Sequence, residues 1–410
     1  MRLLVVCPFF PYPPDNGSRI LQFNLIKQAA RRHQVWLFSL IQSESERNNV
    51  AGIAPYCEDV LAVRPDRQVP GKLDGRRRGW DVFGGMVHKH PRHFYGAPSS
   101  NVVQELAWAL SEWRPDVLLV STLFMTNYLW QSLDDLGGVK KILIEQNVET
   151  SIQRQQVGVA SSFSVQVRAW LYWLSFARFE TLACEKFDLV TTPSAQDRQM
   201  LLDLAPDLDQ TRVAVLPNGV EVASYSGDWG EPEPGALIFP GALTYHANYD
   251  AMRFFLDEVF PLVRRVNPEA VLRITGKTEG VDLGSLKLGA GITLTGYLDD
   301  VRPAVARSWA CVAPLRVGGG TRLKILEAMA LGTPVVATSK GAEGLDVTPG
   351  HDILIADDPG QFADAVLGLL DDPMLRQKLA LSGRRLVESL YDWQSIGDRL
   401  NEILESVAGM

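Results

Sequence analysis

The stretch RVGGGTRLKILEAMALGTPVV, residues 316–336, joins three consecutive glycines to a short helix pattern. Two cations, Arg322 and Lys324, follow the glycines, and a single acid, Glu327, stands one turn later among apolar residues. A glycine and a proline then end the pattern before an apolar run that is typical of a buried strand. A glycine loop, a helix and a strand in this order predict an α/β fold and leave the two cations to be explained.

The cations are explained if the start of this helix binds an anion. A helix N-terminus presents unpaired N–H groups, and glycines before it allow a ligand to approach the backbone closely. Cations in the first turn oppose the helix dipole and cost a few tenths of a kcal/mol unless an anion compensates. The alternative is a solvated Arg322 beside a Lys324–Glu327 pair, which is worth little on a surface and leaves the three glycines unexplained.

Strand-like apolar runs alternate with helical periodicities over nearly the whole chain, which predicts parallel sheets covered on both faces. At residues 215–236 an Asn-Gly turn signal and a cluster of Gly, Glu and Pro interrupt the pattern. We therefore expect two doubly wound Rossmann-like domains and a helical end. The predicted segments are residues 1–222, residues 235–388, and a helix at 389–410 that packs back toward the first domain.

Length, composition and charge favour a soluble two-domain protein. The chain has 410 residues, 46% hydrophobic and 21% charged, and its net charge of −8 argues against a nucleic-acid partner. Its four cysteines form no CxxC pair, which suits a reducing cytosol and predicts neither disulfides nor a zinc site. With no signal peptide and no apolar run of membrane-spanning length, we expect a cytoplasmic protein, at most peripheral at the cytoplasmic face of the membrane.

Two segments each have two possible structural interpretations. Residues 64–98 are rich in Gly, Pro and cations, and predict a solvated loop or an acceptor-recognition loop; the histidines within it lack the partners of a metal site. Residues 164–187 combine aromatic residues and arginines, as interfacial helices do. Glu180, Glu185 and Asp188 would oppose an anionic lipid surface and favour a core helix instead.

A series of motifs, in order along almost the whole chain, resembles glycosyltransferase family 4, a large retaining family with the GT-B fold. The motifs are PFFPYPPDNGSRILQFNLIKQAARRHQV at 8–35, LIEQNVE at 143–149, LPNGVE at 216–221, GALTYHANYDAMRFFLDEVFP at 241–261, LRITGK at 272–277, LTGYLDD at 294–300 and GGGTRLKILEAMALGTPVVATSKGAEGL at 318–345. The resemblance implies two Rossmann-like domains facing a cleft, the first binding the acceptor and the second the nucleotide sugar. The GGGTRLKILE variant is similar to a subgroup associated with exopolysaccharide assembly.

The resemblance implies roles for particular residues. Glu327 would hold the ribose hydroxyls of the donor, backbone N–H groups at 320–323 would meet the sugar and the diphosphate, and Tyr297 and Leu298 would line the base pocket. The implied donor-binding residues are Asn16, Gly17, Gly241, Tyr297, Leu298, Gly319, Gly320, Thr321 and Leu323. The candidate catalytic residues are Gln146, Arg322, Lys324 and Glu327, and no metal ligand is expected.

The chain also departs from the family pattern. Gly319 stands where the first Glu of a Glu-x7-Glu motif is expected, and Gln146 stands where the family has His. The Arg and Lys that often grip the diphosphate fall close to Ala242 and Asn248, so Arg322 and Lys324 would replace that pair. Glutamine can hydrogen-bond a sugar hydroxyl but cannot carry a proton.

Together these features predict a metal-independent, retaining hexosyltransferase without a cofactor. Its donor would be a nucleotide-diphosphate sugar, with UDP favoured over GDP, and its acceptor a hydroxyl of a saccharide, a lipid-linked or a small-molecule substrate. A nucleotide-sugar epimerase is an alternative enzyme. A non-catalytic nucleotide-sugar-binding protein is an alternative of another class, motivated by Gly319 and Gln146.

Overall fold

The computed structural model describes residues 1–66, 90–158 and 163–409. The chain forms two compact units, which we call the first unit (Met1–Pro217 with Gly397–Met410) and the second unit (Asn218–Ile396). The described residues contain no helix that is both long and apolar enough to span a membrane. All four cysteines are free.

The described strands of the first unit form a seven-stranded parallel sheet in the order β3-β2-β1-β4-β5-β6-β7. These strands are β1 (Arg2–Cys7), β2 (Gln34–Leu40), β3 (Asp59–Val63), β4 (Val117–Ser121), β5 (Lys140–Ile144), β6 (Leu189–Thr192) and β7 (Val213–Val215). The helices are α1 (Gly17–Ala29), α2 (Arg92–Tyr95), α3 (Ser100–Trp113), α4 (Thr126–Leu129), α5 (Ser132–Asp135), α6 (Glu149–Gly158), α7 (Phe163–Glu185) and α8 (Ala195–Leu204). Short 3-10 turns lie at Glu44–Gly52, Ala54–Tyr56, Leu123–Met125 and Gln210–Arg212.

The central strands of this sheet are apolar on both faces because helices cover both sides. Every residue of β4 is buried, and so are all but the first residue of β1. On one side of the sheet, Phe94, Phe176 and Phe179 pack with ring centroids 4.8 to 5.6 Å apart. The aromatic residues in the carboxy-terminal half of α7 therefore contribute to the core.

The described strands of the second unit form a six-stranded parallel sheet in the order β10-β9-β8-β11-β12-β13. They are β8 (Glu233–Pro240), β9 (Val271–Thr275), β10 (Ile292–Gly296), β11 (Ser308–Ala313), β12 (Val335–Ala337) and β13 (Leu354–Ile355). The helices are α9 (His246–Phe254), α10 (Phe260–Val266), α11 (Arg302–Ala306), α12 (Leu323–Ala330), α13 (Pro359–Asp371), α14 (Pro373–Leu386) and α15 (Trp393–Gly409), with 3-10 turns at Val222–Tyr225 and Leu283–Ser285.

Both sheets have the strand order of a Rossmann fold, in which the direction of winding reverses beside the first strand. The reversal lies between β1 and β4 in the first unit and between β8 and β11 in the second. The predicted fold class, α/β with two doubly wound Rossmann-like domains, is confirmed.

Two helices of the second unit have local irregularities. Helices α9 and α10 form one continuous helical segment over residues 246–266, with a π-helical segment at Phe255–Val259 between them. Pro261 lies just after the π-helical segment, and its ring nitrogen has no N–H to donate to the preceding turn. Helix α11 begins at Arg302, where the Asp300 carboxylate accepts the backbone N–H of Arg302 at 3.0 Å.

Helix α15 begins in the second unit and continues into the first, where it packs on α1. A side chain at Gly397 would collide with Gln28, and Asn401 Nδ2 donates to the Gln28 carbonyl oxygen at 3.2 Å. An ion pair joins Arg31 to Asp398 at 3.1 Å. The compact units separate before Asn218, because the backbone N–H of Val220 donates to the carbonyl oxygen of Tyr391 at 2.9 Å.

Candidate functional site

In the second unit, the strand-order reversal brings two sequence motifs to one edge of the sheet. Gly241 follows the end of β8, and the glycine loop at 318–320 follows β11, the strand beside it. In open α/β sheets, ligands bind beyond the carboxyl ends of the strands at such a reversal. The loop flagged by the sequence therefore lies where this fold class places a ligand.

Lys324 lies at this reversal. Its Nζ donates to Asn248 Oδ1 at 2.8 Å and lies 4.0 Å from the centroid of the Phe239 ring. A Cβ on Gly241 would come within 2.7 Å of the same Nζ, so a side chain there would push the ammonium aside. Burial lowers the pKa of Lys324 to about 7, which means that the ammonium lacks the charge stabilisation that an anion would supply.

Arg322 is engaged differently from what the sequence suggested. It is the residue just before α12, so that Lys324 is the only one of the two cations in the first helical turn. The guanidinium is 6% exposed and donates from Nη1 to the Gly319 carbonyl oxygen at 3.0 Å. Nη2 donates to the carbonyl oxygens of Gly318 at 3.0 Å and Lys340 at 3.3 Å. Arg322 thus holds the glycine loop in shape.

The glycine loop needs glycine for its backbone conformation. Gly318 has φ 96° and Gly320 has φ 83°, both in the left-handed region that other residues rarely adopt. A Cβ on Gly318 would also approach the Tyr245 hydroxyl and the Ala247 side chain to 3.1 Å. Gly319 and Gly320 are exposed, while Thr321 and Leu323 are half-buried at the start of α12.

Glu327 is held by a tyrosine. The Tyr225 hydroxyl donates to Glu327 Oε1 at 3.1 Å, and burial raises the pKa of Glu327 above its ordinary value. Lys324 is hydrogen-bonded to Asn248, and Glu327 is hydrogen-bonded to Tyr225. The two residues therefore do not form the surface ion pair that was the alternative. The carboxylate and the ammonium are separately positioned groups on one short helix.

Tyr297 and Leu298 follow β10 at the same edge. The Tyr297 ring is 64% exposed, and Lys277 Nζ lies 5.7 Å from its centroid. Backbone bonds join the neighbouring loops, because Gly276 N donates to the carbonyl oxygen of Gly296 at 2.8 Å and Leu243 N donates to that of Lys277 at 3.0 Å. The ends of β8, β9 and β10 therefore form a continuous border with an exposed aromatic face.

In the first unit, the predicted residues lie at the end of β5 and the start of α1. Asn16 precedes α1 and accepts the backbone N–H of Arg19 at 3.1 Å, and Gly17 is the first residue of the helix. The Ser18 hydroxyl donates to Gln146 Oε1 at 2.7 Å. Gln146 Nε2 is buried and has no hydrogen-bond partner among the described residues, so its two N–H donors remain for further acceptors.

Buried carboxyl groups flank Gln146. Glu180 accepts the backbone N–H groups of Glu149 at 2.8 Å and Thr150 at 2.9 Å, which caps the start of α6. Glu145 is 3% exposed, and its Oε1 finds no partner in the described part of the chain. Burial raises the pKa of Glu180 to about 7 and that of Glu145 well above its ordinary value. Because Glu180 has two N–H donors that favour its ionised form, we assign the retained proton to Glu145.

Sequence reasoning missed Tyr225, Ser18 and Lys277. Tyr225 and Ser18 are far in sequence from their partners Glu327 and Gln146, and no spacing rule connects them. Lys277 stands in the sequence Gly-Lys-Thr, a signal that was available but that indicates no phosphate loop without upstream glycines.

Part of one predicted segment lies outside the described residues. The loop at 64–98 includes residues 67–89, and with them His88, for which nothing is described. Over residues 1–66, 90–158 and 163–409, no group of three His, Cys, Asp or Glu side chains is arranged to hold a metal ion.

Comparison with known protein families now adds to this geometry. Residues 16–224, just over half of the chain, match the family described as Glycosyltransferase Family 4. This chain belongs to glycosyltransferase family 4. Residues 234–372 match the description "Glycosyl transferases group 1". The family resemblance suggested by the sequence is thus established for both units.

Curated relatives match only part of this family 4 chain. A phosphatidyl-myo-inositol mannosyltransferase from Mycobacterium leprae is 32% identical over 47% of the chain and 53% of the relative. A GDP-mannose-dependent mannosyltransferase acting on a monoacylated phosphatidylinositol monomannoside, from Corynebacterium glutamicum, is 35% identical over 25% of the chain and 28% of the relative. The chain therefore spans about a quarter to a half of the length of these two proteins.

Solved structures share the fold of this family 4 chain. A sucrose-phosphate synthase from Thermosynechococcus elongatus matches with a TM-score of 0.68 and 17% identity over 100% of both chains. HepE from Anabaena, solved in complex with UDP-glucose, matches with a TM-score of 0.64 and 13% identity over 98% of this chain and 99% of HepE. At these identities the similarity shows the GT-B fold alone.

Proposed function

We propose that this family 4 chain is a metal-independent, retaining glycosyltransferase. It moves a hexose-type sugar from a nucleotide-diphosphate sugar to a hydroxyl of a saccharide, lipid-linked or small-molecule acceptor. The observation that carries the proposal is the Lys324 ammonium, held against Gly241 and Asn248 at the strand-order reversal and one turn before Glu327. A cation and a carboxylate at this spacing suit a diphosphate and the ribose attached to it.

The donor is bound by the second unit in this proposal. Lys324 and the N–H groups at residues 320–323 receive the diphosphate, while Arg322 keeps the glycine loop in place. Glu327, oriented by Tyr225, accepts the ribose hydroxyls. The exposed Tyr297 ring and Leu298 take the base. HepE is solved with UDP-glucose and a relative is GDP-mannose-dependent, so UDP is the first nucleotide to test and GDP the second.

The proposed reaction breaks the bond between the sugar and the diphosphate, which leaves with the bonding electrons. Lys324 neutralises the charge that develops on it, and preorganised groups of this kind are worth about 3 to 4 kcal/mol each. The acceptor hydroxyl attacks from the face of the leaving group, as the family resemblance implies, and its proton passes to the departing phosphate. Gln146 donates from Nε2 to a hydroxyl of the sugar or the acceptor.

The first experiment is a thermal-shift panel of UDP-, GDP-, ADP- and dTDP-sugars. A ligand at 100 times its Kd stabilises the folded protein by about 2.7 kcal/mol, a shift that is easily measured. The donor so identified is then incubated with and without acceptors in the presence of EDTA, and the anomeric configuration of the product is determined by NMR.

The outcomes separate the alternatives. Transfer with retained configuration in EDTA supports the proposal, and loss of activity in EDTA contradicts metal independence. An altered donor sugar formed without an acceptor indicates an epimerase. Binding without transfer or hydrolysis indicates a non-catalytic nucleotide-sugar-binding protein, the alternative to which Gly319 and Gln146 point.

A further inference from the structure

The helices α6 and α7 of the first unit form an antiparallel hairpin. At its base, Glu180 of α7 accepts the backbone N–H groups of Glu149 and Thr150 at the start of α6. Further along, the Arg154 guanidinium lies 5.7 Å from the Trp173 ring centroid. Glu149 of α6 contacts Glu180 of α7, and the later residue Arg154 contacts the earlier residue Trp173, so the two helices run in opposite directions. The first turns of α7 therefore lie at the end of the hairpin away from Glu180.

Exposure changes along α7. At the base, Phe176 and Phe179 are fully buried against Phe94. Nearer the other end, Trp170 is 47% exposed and Val167 is 40% exposed. We call Val167, Arg168 and Trp170 the apical patch. Half-exposed large apolar side chains beside an exposed arginine are the composition of an interfacial helix.

The segment that carries the apical patch has charge of one sign. Residues 150–179 contain three arginines and no Asp or Glu, in a chain whose net charge is −8. The described arginines of this segment, Arg154, Arg168 and Arg178, are all exposed. The segment is thus complementary to an anionic surface, and two copies of it would repel each other.

The acids that argued against a lipid surface do not face it. Glu180 is fully buried and caps α6. Asp188 accepts the backbone N–H of Lys141 at 2.7 Å and pairs with Lys140 at 3.9 Å, at the edge of the sheet. Glu185 is 17 residues from Arg168, or about 26 Å along a helix. The structure therefore separates the acids from the apical patch.

We propose that the apical patch docks this protein on an anionic lipid bilayer. Trp170 and Val167 enter the interface between headgroups and acyl chains, and Arg168 beside them pairs with a lipid phosphate. Docking does not depend on sugar transfer, so it can be tested without a donor or an acceptor.

The test is co-sedimentation of the full chain with vesicles of equimolar phosphatidylglycerol and phosphatidylcholine, compared with phosphatidylcholine alone. The variants are Trp170→Ser and Arg168→Glu. The matched controls are Trp108→Ser, because Trp108 is also 47% exposed, and Arg399→Glu, which makes the same charge change on another exposed helix position of the first unit. Circular dichroism melting verifies that each variant is folded.

We expect binding to the anionic vesicles at low salt, its loss at high salt, and a fall in partitioning of about tenfold or more for Arg168→Glu and Trp170→Ser. The control variants should bind like the wild type. The proposal is overturned by absence of sedimentation, by equal binding to phosphatidylcholine alone, or by equal losses in the controls. Concentration-dependent dimerisation that Trp170→Ser abolishes would also overturn it, because the patch would then bind a second copy.

Discussion

The two sheets share one strand order but carry opposite chemistry at the edges where their winding reverses. The second unit presents charged groups, Lys324 and Glu327, on one short helix after a glycine loop. The first unit presents neutral groups, Ser18 and Gln146. Beside them lie Glu145, whose pKa is raised by burial, and Glu180, which accepts two backbone N–H groups. The same backbone plan therefore carries a lysine and a carboxylate on one helix in one unit and an amide–hydroxyl pair in the other.

A shared fold determines where a ligand binds, and the side chains determine which ligand it is. Loss of water around the ammonium lowers the pKa of Lys324, and burial raises the pKa of Glu145, to which the nearby Glu180 adds. Each edge thus holds an ionisable side chain, Lys324 or Glu145, whose charged form is disfavoured by loss of water.

The largest effect should come from Lys324→Met, which keeps the bulk and removes the charge. We expect turnover to fall about 100- to 1,000-fold, because the leaving diphosphate loses its counter-charge. Lys287→Met, at a side chain 70% exposed, should leave turnover unchanged. Turnover of Lys324→Met within about twofold of wild type would remove the anion site from this edge.

The same lysine predicts a pH effect. Its folded-state pKa is lowered to about 7, so above pH 7 a bound diphosphate must draw a proton onto it. Affinity for the nucleotide sugar should therefore weaken as pH rises above about 7, by up to tenfold per pH unit. The Lys324→Met variant should bind the nucleotide sugar weakly, with an affinity that does not change with pH in this range. An unchanged pH dependence in this variant would show that Lys324 is not the titrating group.

Glu327→Ala should weaken nucleotide binding about 10- to 100-fold, since two charge-assisted hydrogen bonds to ribose hydroxyls are lost. Isothermal titration with the nucleoside diphosphate measures this directly. Glu388→Ala is the control, because Glu388 is exposed and pairs only locally with Arg384. Unchanged affinity in a folded Glu327→Ala variant would show that this carboxylate does not hold the ribose.

Arg322→Ala should lower the free energy of unfolding by about 1 to 3 kcal/mol, because two carbonyl oxygens of the glycine loop and that of Lys340 lose their donor. Arg253→Ala, which removes an exposed local pair, should cost about 1 kcal/mol or less. Equal costs in chemical denaturation would mean that Arg322 does not hold the loop.

Gln146→Ala should slow transfer about fivefold and leave nucleoside-diphosphate affinity unaltered, because one neutral hydrogen bond to a hydroxyl is worth about 1 kcal/mol. Steady-state kinetics and titration together separate the two effects. Gln199→Ala, at an exposed position on α8, should change neither. Parallel losses of rate and affinity for Gln146→Ala would place it on the nucleotide instead.

The smallest effect should come from Glu145→Gln. Burial raises the pKa of Glu145 in the folded state, so the stability that its protonated form contributes is fully present below the unfolded pKa near 4.5 and is lost as pH rises through the folded pKa. Glu145→Gln should flatten this loss and be more stable than wild type once the pH exceeds the folded pKa. Glu185→Gln, at an exposed residue, should follow the wild-type curve, and a similar curve for Glu145→Gln would contradict a protonated Glu145.

The sequence alone determined the α/β alternation, the family and the glycine loop, because these depend on local periodicity and on motifs within short segments. Periodicity could not locate the π-helical segment at Phe255–Val259, which lies beside Pro261. Only the tertiary structure decided which side chains meet: Lys324 with Asn248, 76 positions away, Glu327 with Tyr225, 102 away, and Gln146 with Ser18, 128 away. Those partners follow from strand order, which brings distant strand ends to one edge, and from burial, which turns Arg322 toward its own loop.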